Sequence, residues 1–158
     1  MSVQAEAQDR KLRADTSVMA TISYFRISWR PELEVGVKQI DEQHKQLVAM
    51  LNQLTDLAEQ GKDDGRLQAI LLRLVRYTET HFAMEAGLMQ AHRYPARVAH
   101  LGQHEGLAGK VREYQAEAKA GSKQTVDTLL VFLAGWLERH ILGSDKQLAA
   151  YLRECGVR

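Results

Sequence analysis

The sequence predicts an all-α protein folded as an antiparallel up-down-up-down four-helix bundle, preceded by an N-terminal extension and an arm. Two observations carry this prediction. Apolar residues recur at helical spacing in four successive stretches, which gives each stretch one apolar face. Only short breaks separate these stretches, and short connections force consecutive helices to run antiparallel. The two prolines among the 158 residues leave most of the chain free of strong helix breakers.

The chain begins with a polar segment of mixed charge, residues 1–25, which has no regular apolar pattern. We therefore predict a flexible N-terminal extension there. An ordered arm is expected next, at Trp29–Leu33, because Pro31 limits helix formation while the apolar side chains of Trp29 and Leu33 favour burial. Residues 26–158 are assigned to one bundle domain, which is long enough to bury a substantial core.

Two helices are predicted in the first half of the bundle. The first spans about 40–60, and Gly61 together with the cluster Asp63–Gly65 ends it. The second spans about 66–92 and ends before the pair Tyr94-Pro95, because a residue that precedes proline is biased away from helical backbone angles.

Two further helices are predicted in the second half. The third spans about 96–120, and the small residues Gly121 and Ser122 break it. The fourth spans about 124–154 and continues almost to the end of the printed sequence.

Composition excludes several classes of function. The formal net charge of +1 offers no general attraction to nucleic acid or to an anionic membrane surface. No apolar run approaches the roughly 20 residues of a membrane span, and the N-terminus lacks the apolar core of a secretory signal. The single cysteine, Cys155, cannot form an internal disulfide, as is usual in a reducing compartment. We therefore expect a cytoplasmic protein without nucleic-acid or membrane partners.

Five of the six histidines form one pattern with two carboxylates, and each histidine falls where the apolar stripe of a predicted helix would normally carry leucine. A buried imidazole needs a polar partner, so five of them in one core need a group that can bind them all. This pattern predicts a metal site, whose candidate ligands are His44, His81, Glu85, His100, His104, His140 and Asp145.

The spacing of these residues has geometric consequences. His81 and Glu85 are four residues apart, as are His100 and His104, so each pair leaves one helix face about one turn apart. Five residues separate His140 from Asp145, and an ideal α-helix would splay them by about 140°. If both are ligands, the fourth helix must absorb one extra residue, most simply as a π-bulge that Gly143 would ease.

Each element also has an ordinary structural interpretation. A single histidine on an apolar face is usually a hydrogen-bonded core residue, a His-x-x-x-Glu pair arises readily on helix surfaces, and Asp145 taken alone would be a solvated acid. The coincidence of all of them at one end of the bundle favours the metal site. The sixth histidine, His92, lies at the predicted C-terminus of the second helix, where the helix dipole favours it.

The ligand chemistry indicates iron. Five imidazoles and two carboxylates exceed the four ligands of zinc, lack the oxygen dominance of magnesium or calcium sites, and include no thiolate for an iron–sulfur cluster. Two iron ions bridged by the carboxylates and by one oxo or hydroxo group would use the whole set. One coordination position would then stay open for one small ligand.

The chain resembles the hemerythrin family, specifically its bacterial branch. The resemblance covers about 27–151, and its motifs are Ile40-Asp41-Glu42-Gln43-His44, His81-Phe82-x-x-Glu85, Tyr94-Pro95 followed by His100-x-x-x-His104, and Trp136-Leu137-x-x-His140-Ile141-x-x-x-Asp145. It implies that His100, His104 and His140 hold a six-coordinate iron, that His44 and His81 hold a five-coordinate iron, and that Glu85 and Asp145 bridge the two. It also implies that O2 binds reversibly at the open position.

Two positions depart from the family pattern. Ala86 stands where a second acid commonly follows the bridging glutamate, so an outer hydrogen bond is expected to be missing. Leu107 stands where an aromatic residue is usual, so we expect a less aromatic and roomier O2 pocket. Trp136 and Leu137 match the apolar wall of that pocket, and both can also serve as ordinary core residues.

Reversible O2 binding at a non-haem di-iron centre, for storage, delivery or sensing, is therefore the leading functional hypothesis. One alternative is a di-iron oxidase or peroxidase, although such bundles mostly use carboxylates and Glu-x-x-His pairs. Another is a signalling module in which the centre reports O2, nitric oxide or redox state to an unidentified protein partner. The sequence does not separate carriage from sensing.

Overall fold

A computed structural model of the chain describes residues 26–60, 65–119 and 126–158. The predicted N-terminal extension, residues 1–25, lies outside the described residues. The predicted breaks around Gly61 and at Gly121–Ser122 lie outside them as well. The same holds for the predicted end of the third helix, at 120, and the predicted start of the fourth, at 124.

The described residues form the predicted helices. Helix α1 spans Lys38–Gln60, α2 spans Arg66–Ala91, and α3 spans Arg97–Lys119. The fourth predicted helix consists of three consecutive parts, which are α4 (Val126–His140), a π-helical turn (Ile141–Asp145) and α5 (Lys146–Glu154). Within the described ranges every regular element is helical, and the predicted four-helix bundle is confirmed.

The four helices enclose one apolar core. Helix α1 contacts α2, α2 contacts α3, α3 contacts α4, and α4 returns to α1, so the ring of neighbours is closed. The buried side chains come mainly from the predicted stripes, and burying each of the larger ones contributes about 1.5–3 kcal/mol. The most deeply buried of these apolar side chains include Leu33, Ile40, Leu51, Leu54, Met89, Leu130, Ile141, Leu148 and Leu152.

The arm is tied to the bundle at both of its ends. The side-chain amide of Asn52 on α1 accepts a hydrogen bond from the Ile27 backbone N–H at 3.1 Å and donates one to the Ile27 carbonyl at 3.0 Å. Pro31–Leu33 form a short 3-10 turn in which Leu33 is fully buried. This turn contacts the π-helical turn, so the arm packs over the end of the bundle that carries Asp145.

Helix α1 begins two residues before its predicted start, and Asp41 explains how the chain enters it. The Asp41 carboxylate accepts hydrogen bonds from the backbone N–H groups of Val35 at 2.7 Å and Gly36 at 3.0 Å. The positive φ of Gly36, 83°, makes this tight approach possible. Asp41 therefore closes the loop that leads into α1, a role that the sequence analysis did not predict.

Helix α2 ends as the sequence predicts, with His92 at its C-terminus. The backbone N–H of Tyr94 donates to the carbonyl of Met89 at 2.8 Å, which closes the helix end while Arg93 takes a positive φ of 55°. The Tyr151 hydroxyl donates to the His92 carbonyl at 2.8 Å and so links this end to α5. Among the described residues, no helix combines the length and the apolar character needed to cross a membrane.

Candidate metal centre

The helices bring all seven predicted ligand residues into one buried cluster. Helix α1 supplies His44, α2 supplies His81 and Glu85, and α3 supplies His100 and His104. The fourth helical segment supplies His140 and Asp145. None of the seven is more than 5% exposed, although all are polar or charged. Burial of so many polar groups is costly unless each finds a partner.

The cluster divides into two groups that share both carboxylates. One group contains three histidines with Glu85 and Asp145, and the other contains two histidines with the same two acids. Within each group the candidate ligand atoms all lie within 4.8 Å of one another. Two neighbouring cation positions with two common carboxylates are therefore available.

Each shared carboxylate directs one oxygen toward each group. For Glu85, Oε1 lies 3.6 Å from His81 Nε2, whereas Oε2 lies 3.3 Å from both His100 Nε2 and His104 Nε2. This is the disposition of a carboxylate that bridges two metal ions.

Asp145 repeats that disposition. Its Oδ2 lies 3.1 Å from His44 Nε2, whereas its Oδ1 lies 3.0 Å from His140 Nε2 and 3.3 Å from His100 Nε2. The two acids thus connect the same pair of groups from opposite helices of the bundle.

The π-helical turn explains how Asp145 reaches the cluster. A regular helix would have turned Asp145 away from His140, and the wider turn over Ile141–Asp145 absorbs the extra residue. The predicted irregularity is therefore confirmed. A side chain added at Gly143 would meet nothing within 4 Å, so no steric crowding requires glycine there.

Two glutamines that the sequence analysis did not select orient two of the histidines. His81 Nδ1 lies 2.8 Å from Gln43 Oε1, and His140 Nδ1 lies 2.9 Å from Gln103 Oε1. Because a carbonyl oxygen only accepts, each Nδ1 carries the proton and each Nε2 presents its lone pair to the cluster. Ser144 also donates to Gln103 Oε1 at 2.7 Å. The signal in the sequence was a glutamine directly before a ligand histidine, in Gln43-His44 and Gln103-His104.

Bound metal ions would satisfy the donor atoms of this cluster better than hydrogen bonds between the side chains can. His104 Nε2 lies 3.1 Å from His100 Nε2 and 2.9 Å from His140 Nε2, and one proton can serve only one of these contacts. Several buried atoms that face the cluster have no hydrogen-bond partner, namely His44 Nε2, Glu85 Oε1 and both carboxylate oxygens of Asp145. A pair of cations would give every one of these lone pairs a partner.

The electrostatics favour the protonation states that bind metal. Burial lowers the pKa of His81 to about 4, so this imidazole is neutral near pH 7. Burial alone would raise the pKa of Glu85, but the neighbouring imidazoles lower it to about 2. Burial opposes ionisation of Asp145 as well, yet His100, His140 and His44 hold its pKa well below its usual range. Both carboxylates are therefore anionic.

His100 differs from His81 in the direction of its pKa shift. Burial alone would lower its pKa, but the nearby carboxylates of Asp145 and Glu85 raise it to about 9. A proton on His100 then partly neutralises the two acids. Protons and metal ions consequently compete for this cluster.

Aromatic rings enclose the three-histidine group. Phe82 stacks on His104 with ring centroids 3.6 Å apart and an interplanar angle of 5°. Trp136 stacks on His140 at 4.3 Å and 17°. Trp136 was selected from the sequence, whereas the role of Phe82 depends on the contact between α2 and α3 and was not predicted.

An apolar cavity of about 310 Å³ adjoins the cluster and is lined in part by His81, His140 and Asp145. The three residues predicted to form the O2 pocket, Leu107, Trp136 and Leu137, also line it. The structure therefore places the predicted pocket residues beside the predicted ligands.

The fold and the cluster together define the class of protein, a four-helix bundle with a metal-binding cluster. The cluster's donor atoms form two neighbouring groups. Comparison with known proteins gives the family. The model of the hemerythrin HHE cation binding domain matches residues 35–152. The chain therefore belongs to the hemerythrin family.

Relatives and solved structures agree with this assignment. A bacteriohemerythrin of Pseudomonas aeruginosa is 38% identical over 117 residues, which cover 74% of this chain and 75% of that protein. A bacteriohemerythrin of Stenotrophomonas maltophilia is 35% identical over 121 residues, covering 77% of this chain and 78% of that one. A wild-type hemerythrin crystal structure superposes with a TM-score of 0.73 at 29% identity and covers 80% of this chain and 97% of its own.

Proposed function

We propose that this protein binds O2 reversibly at a non-haem di-iron centre. His100, His104 and His140 would hold one iron, His44 and His81 would hold the other, and Glu85 with Asp145 would bridge them together with an oxo or hydroxo group. When bound, the two ferrous ions would supply the pair of electrons that reversible O2 binding uses. Membership of the hemerythrin family and the buried donor cluster support this proposal.

One observation carries the proposal furthest. The two donor groups share both carboxylates but differ by one histidine, so the group of His44 and His81 has one donor fewer. The apolar cavity touches both groups, through His81 of the smaller one and His140 of the larger one. A small uncharged molecule that enters through the cavity would reach both groups, and the smaller one has the donor position left open for it.

The side chains around the cavity would protect the bound O2. Leu107, Trp136 and Leu137 line the cavity next to the cluster and offer no proton to a ligand there, apart from the indole N–H of Trp136. An apolar wall would exclude water and so would limit irreversible oxidation of a bound ferrous centre. Substrate oxidation, by contrast, generally uses centres that are rich in carboxylates, and this cluster has five imidazoles.

The visible spectrum of the purified protein tests the proposal. The iron-loaded protein is reduced without oxygen, exposed to air and then purged with argon through several cycles. We expect an absorption band that appears with O2, disappears on purging and returns in the next cycle, and elemental analysis should give two irons per chain. Zinc in protein from iron-replete cells, or one metal per chain, would refute the di-iron centre.

The same experiment separates the alternatives. Steady consumption of O2 in the presence of reductant, without accumulation of the reversible band, would favour an oxidase over a carrier. A reversible band together with a structural change that depends on O2, measured by proteolysis or hydrogen exchange, would favour a sensor that acts on a protein partner.

A further inference from the structure

The cavity beside the cluster extends far beyond the space that O2 needs. Its wall includes Leu71, Leu74, Thr78 and His81 on α2, and the ten residue steps from Leu71 to His81 span about 15 Å of helix. Its volume of about 310 Å³ lies at the lower end of the range for small-molecule sites. At ~30 Å³ for each water-sized group, this volume corresponds to roughly ten such groups, including the space beside His81, His140 and Asp145 that bound metal and O2 would share.

Most of the cavity wall is aliphatic. Away from the cluster, α1 contributes Leu47 and Leu51, α3 contributes Val111, and α4 contributes Leu133. Such a surface favours an apolar occupant, because removing apolar area from water is favourable and these aliphatic side chains offer no hydrogen bonds to water. The elongated shape suits a chain or a narrow ring system of about ten non-hydrogen atoms.

The exposed lining residues show where the cavity meets solvent. Glu79 on α2 and Arg112 on α3 both line it and are both exposed, so the opening lies between these two helices. Gln115 lines the cavity on the same face of α3, one turn beyond Val111. No ion pair joins Glu79 or Arg112 to another residue within the described part of the chain, so both remain able to meet a ligand.

The opposite charges of Glu79 and Arg112 at the opening determine which polar end group of a ligand is favourable there. A carboxylate would pair with Arg112 but meet the like charge of Glu79, and an ammonium group would have the reverse difficulty. A hydroxyl group can accept a hydrogen bond from Arg112 or donate one to Glu79 without bringing a like charge to either residue.

We propose that this cavity is a binding site for a neutral medium-chain amphiphile, with its apolar chain between the helices and an uncharged hydroxyl or carbonyl end at Glu79 and Arg112. The site is separate from O2 binding in its chemistry, since it needs neither ferrous iron nor an open coordination position. Its occupant would nevertheless border the cluster, because His81 and Leu137 line the same cavity.

Isothermal titration of the iron-loaded ferric protein with a series of primary alcohols tests the proposal. From 1-butanol to 1-octanol we expect one molecule to bind per chain, with Kd falling about fourfold per methylene, as the transfer of ~0.8 kcal/mol per buried CH2 requires. The gain should stop once the chain exceeds the cavity, so 1-dodecanol should bind no more tightly than 1-decanol. Octanoate and octylammonium should each bind at least about tenfold more weakly than 1-octanol.

Matched variants place the binding in the cavity. Ala108 lines it, and Ala108→Phe should fill it and weaken 1-octanol binding at least about tenfold. Leu72→Phe adds similar bulk on α2 at a side chain that is 48% exposed and outside the cavity, so its Kd should match the parent. Val111→Phe serves as a second filling variant if Ala108→Phe fails to fold.

Several results would overturn the proposal. These are no heat of binding for 1-octanol up to its solubility limit, equal loss of binding in Leu72→Phe and Ala108→Phe, or a steady gain through 1-dodecanol. Octanoate that binds as tightly as 1-octanol would overturn the assignment of an uncharged end. None of these measurements uses the O2 spectrum, so the amphiphile site and the O2 carrier stand or fall separately.

Discussion

The same four helices build two very different interiors. At the end covered by the arm, seven polar side chains converge within a few ångströms, and none is more than 5% exposed. Toward the other end, leucine and valine side chains face one another across a cavity of about 310 Å³. The first region is closely packed and polar, whereas the second contains free volume and is apolar.

The difference shows how two kinds of packing respond to change. In the polar region each lone pair depends on a partner at a fixed position, because a buried polar atom without one costs about 1–3 kcal/mol or more. The apolar region has no such directional demands, and its free volume absorbs moderate changes of side-chain size. Substitutions should therefore abolish function at the cluster but only adjust it at the cavity.

The largest effect is expected at a bridging acid. Asp145→Ala removes oxygens that both donor groups share, so the chain should lose both irons rather than one. Elemental analysis of the purified variant should give close to zero iron per chain, compared with two in the parent.

His92→Ala is the matched control, because His92 lies at the C-terminus of α2 and outside both donor groups. Its iron content should equal that of the parent. Two irons in Asp145→Ala would remove Asp145 from the ligand set, and a loss of iron in His92→Ala would show that the set is incomplete.

Acid should separate the metal-free from the metal-loaded protein. In the metal-free chain the pKa of His81 is about 4, below the unfolded value near 6.5. Between these two values the unfolded chain takes up a proton that the folded chain does not. His81 therefore lowers the free energy of unfolding progressively as the pH falls from about 6.5 toward 4, and has no such effect above about pH 6.5. The shift corresponds to about 3 kcal/mol. His100, with a raised pKa of about 9, contributes in the opposite direction and loses its contribution as the pH rises from 6.5 to 9.

Thermal unfolding of both forms between pH 7.5 and about pH 5 measures this effect. We expect the melting temperature of the metal-free protein to fall more steeply with acid, because bound metal keeps His81 neutral until protons displace it. Parallel curves for the two forms would show that no metal is held by the buried histidines.

A smaller effect is expected at the glutamines that orient the ligands. Gln103→Leu removes the acceptor for His140 Nδ1 but leaves all seven candidate ligands in place. Loss of such an outer hydrogen bond typically weakens metal affinity about 10–100-fold. Competition with a chelator measures it, and Gln90→Leu, an exposed glutamine on α2, is the control. Unchanged affinity in Gln103→Leu would mean that packing alone fixes the His140 ring.

The smallest effect belongs to the cavity wall. Leu137 is only partly buried and borders free volume, so Leu137→Ala should cost about 2 kcal/mol, at the lower end for leucine. It should also admit water and speed autoxidation of the oxygenated protein. Denaturant unfolding reads the first change, and the decay of the O2-dependent band reads the second.

Val131→Ala provides the comparison on the same helix, because Val131 is 45% exposed and does not line the cavity. It should leave the decay rate unchanged. A destabilised Leu137→Ala protein that autoxidises at the parent rate would make Leu137 an ordinary packing residue.

The sequence predicted the polar region more completely than the hollow one. Helical periodicity alone placed His44, His81, His100 and His140 on inward faces, and the five-residue step to Asp145 was enough to predict the π-helical turn. These features depend on the local geometry of a single helix.

Other features depend on how helices are rotated against one another, which periodicity leaves undetermined. The Gln43–His81 and Gln103–His140 hydrogen bonds and the stacking of Phe82 on His104 are of this kind. So is the cavity, since a void is set by the shapes of many side chains rather than by any one of them. Asp41 also shows that an acid near a helix start can be needed by the preceding loop.

The repeated glutamine contact has an architectural consequence. The hairpin α1–α2 presents Gln43-His44 and then a histidine with an acid, and the hairpin of α3 with α4 presents Gln103-His104 and then a histidine with an acid. The two hairpins are chemically similar but differ in two places, and the five-residue spacing of His140 and Asp145 is one of them. One turn before His104 stands His100, whereas the equivalent position before His44 is the fully buried Ile40. The unequal number of histidines in the two donor groups thus depends on this one position, and Ile40→His is the change that would offer three histidines to each group.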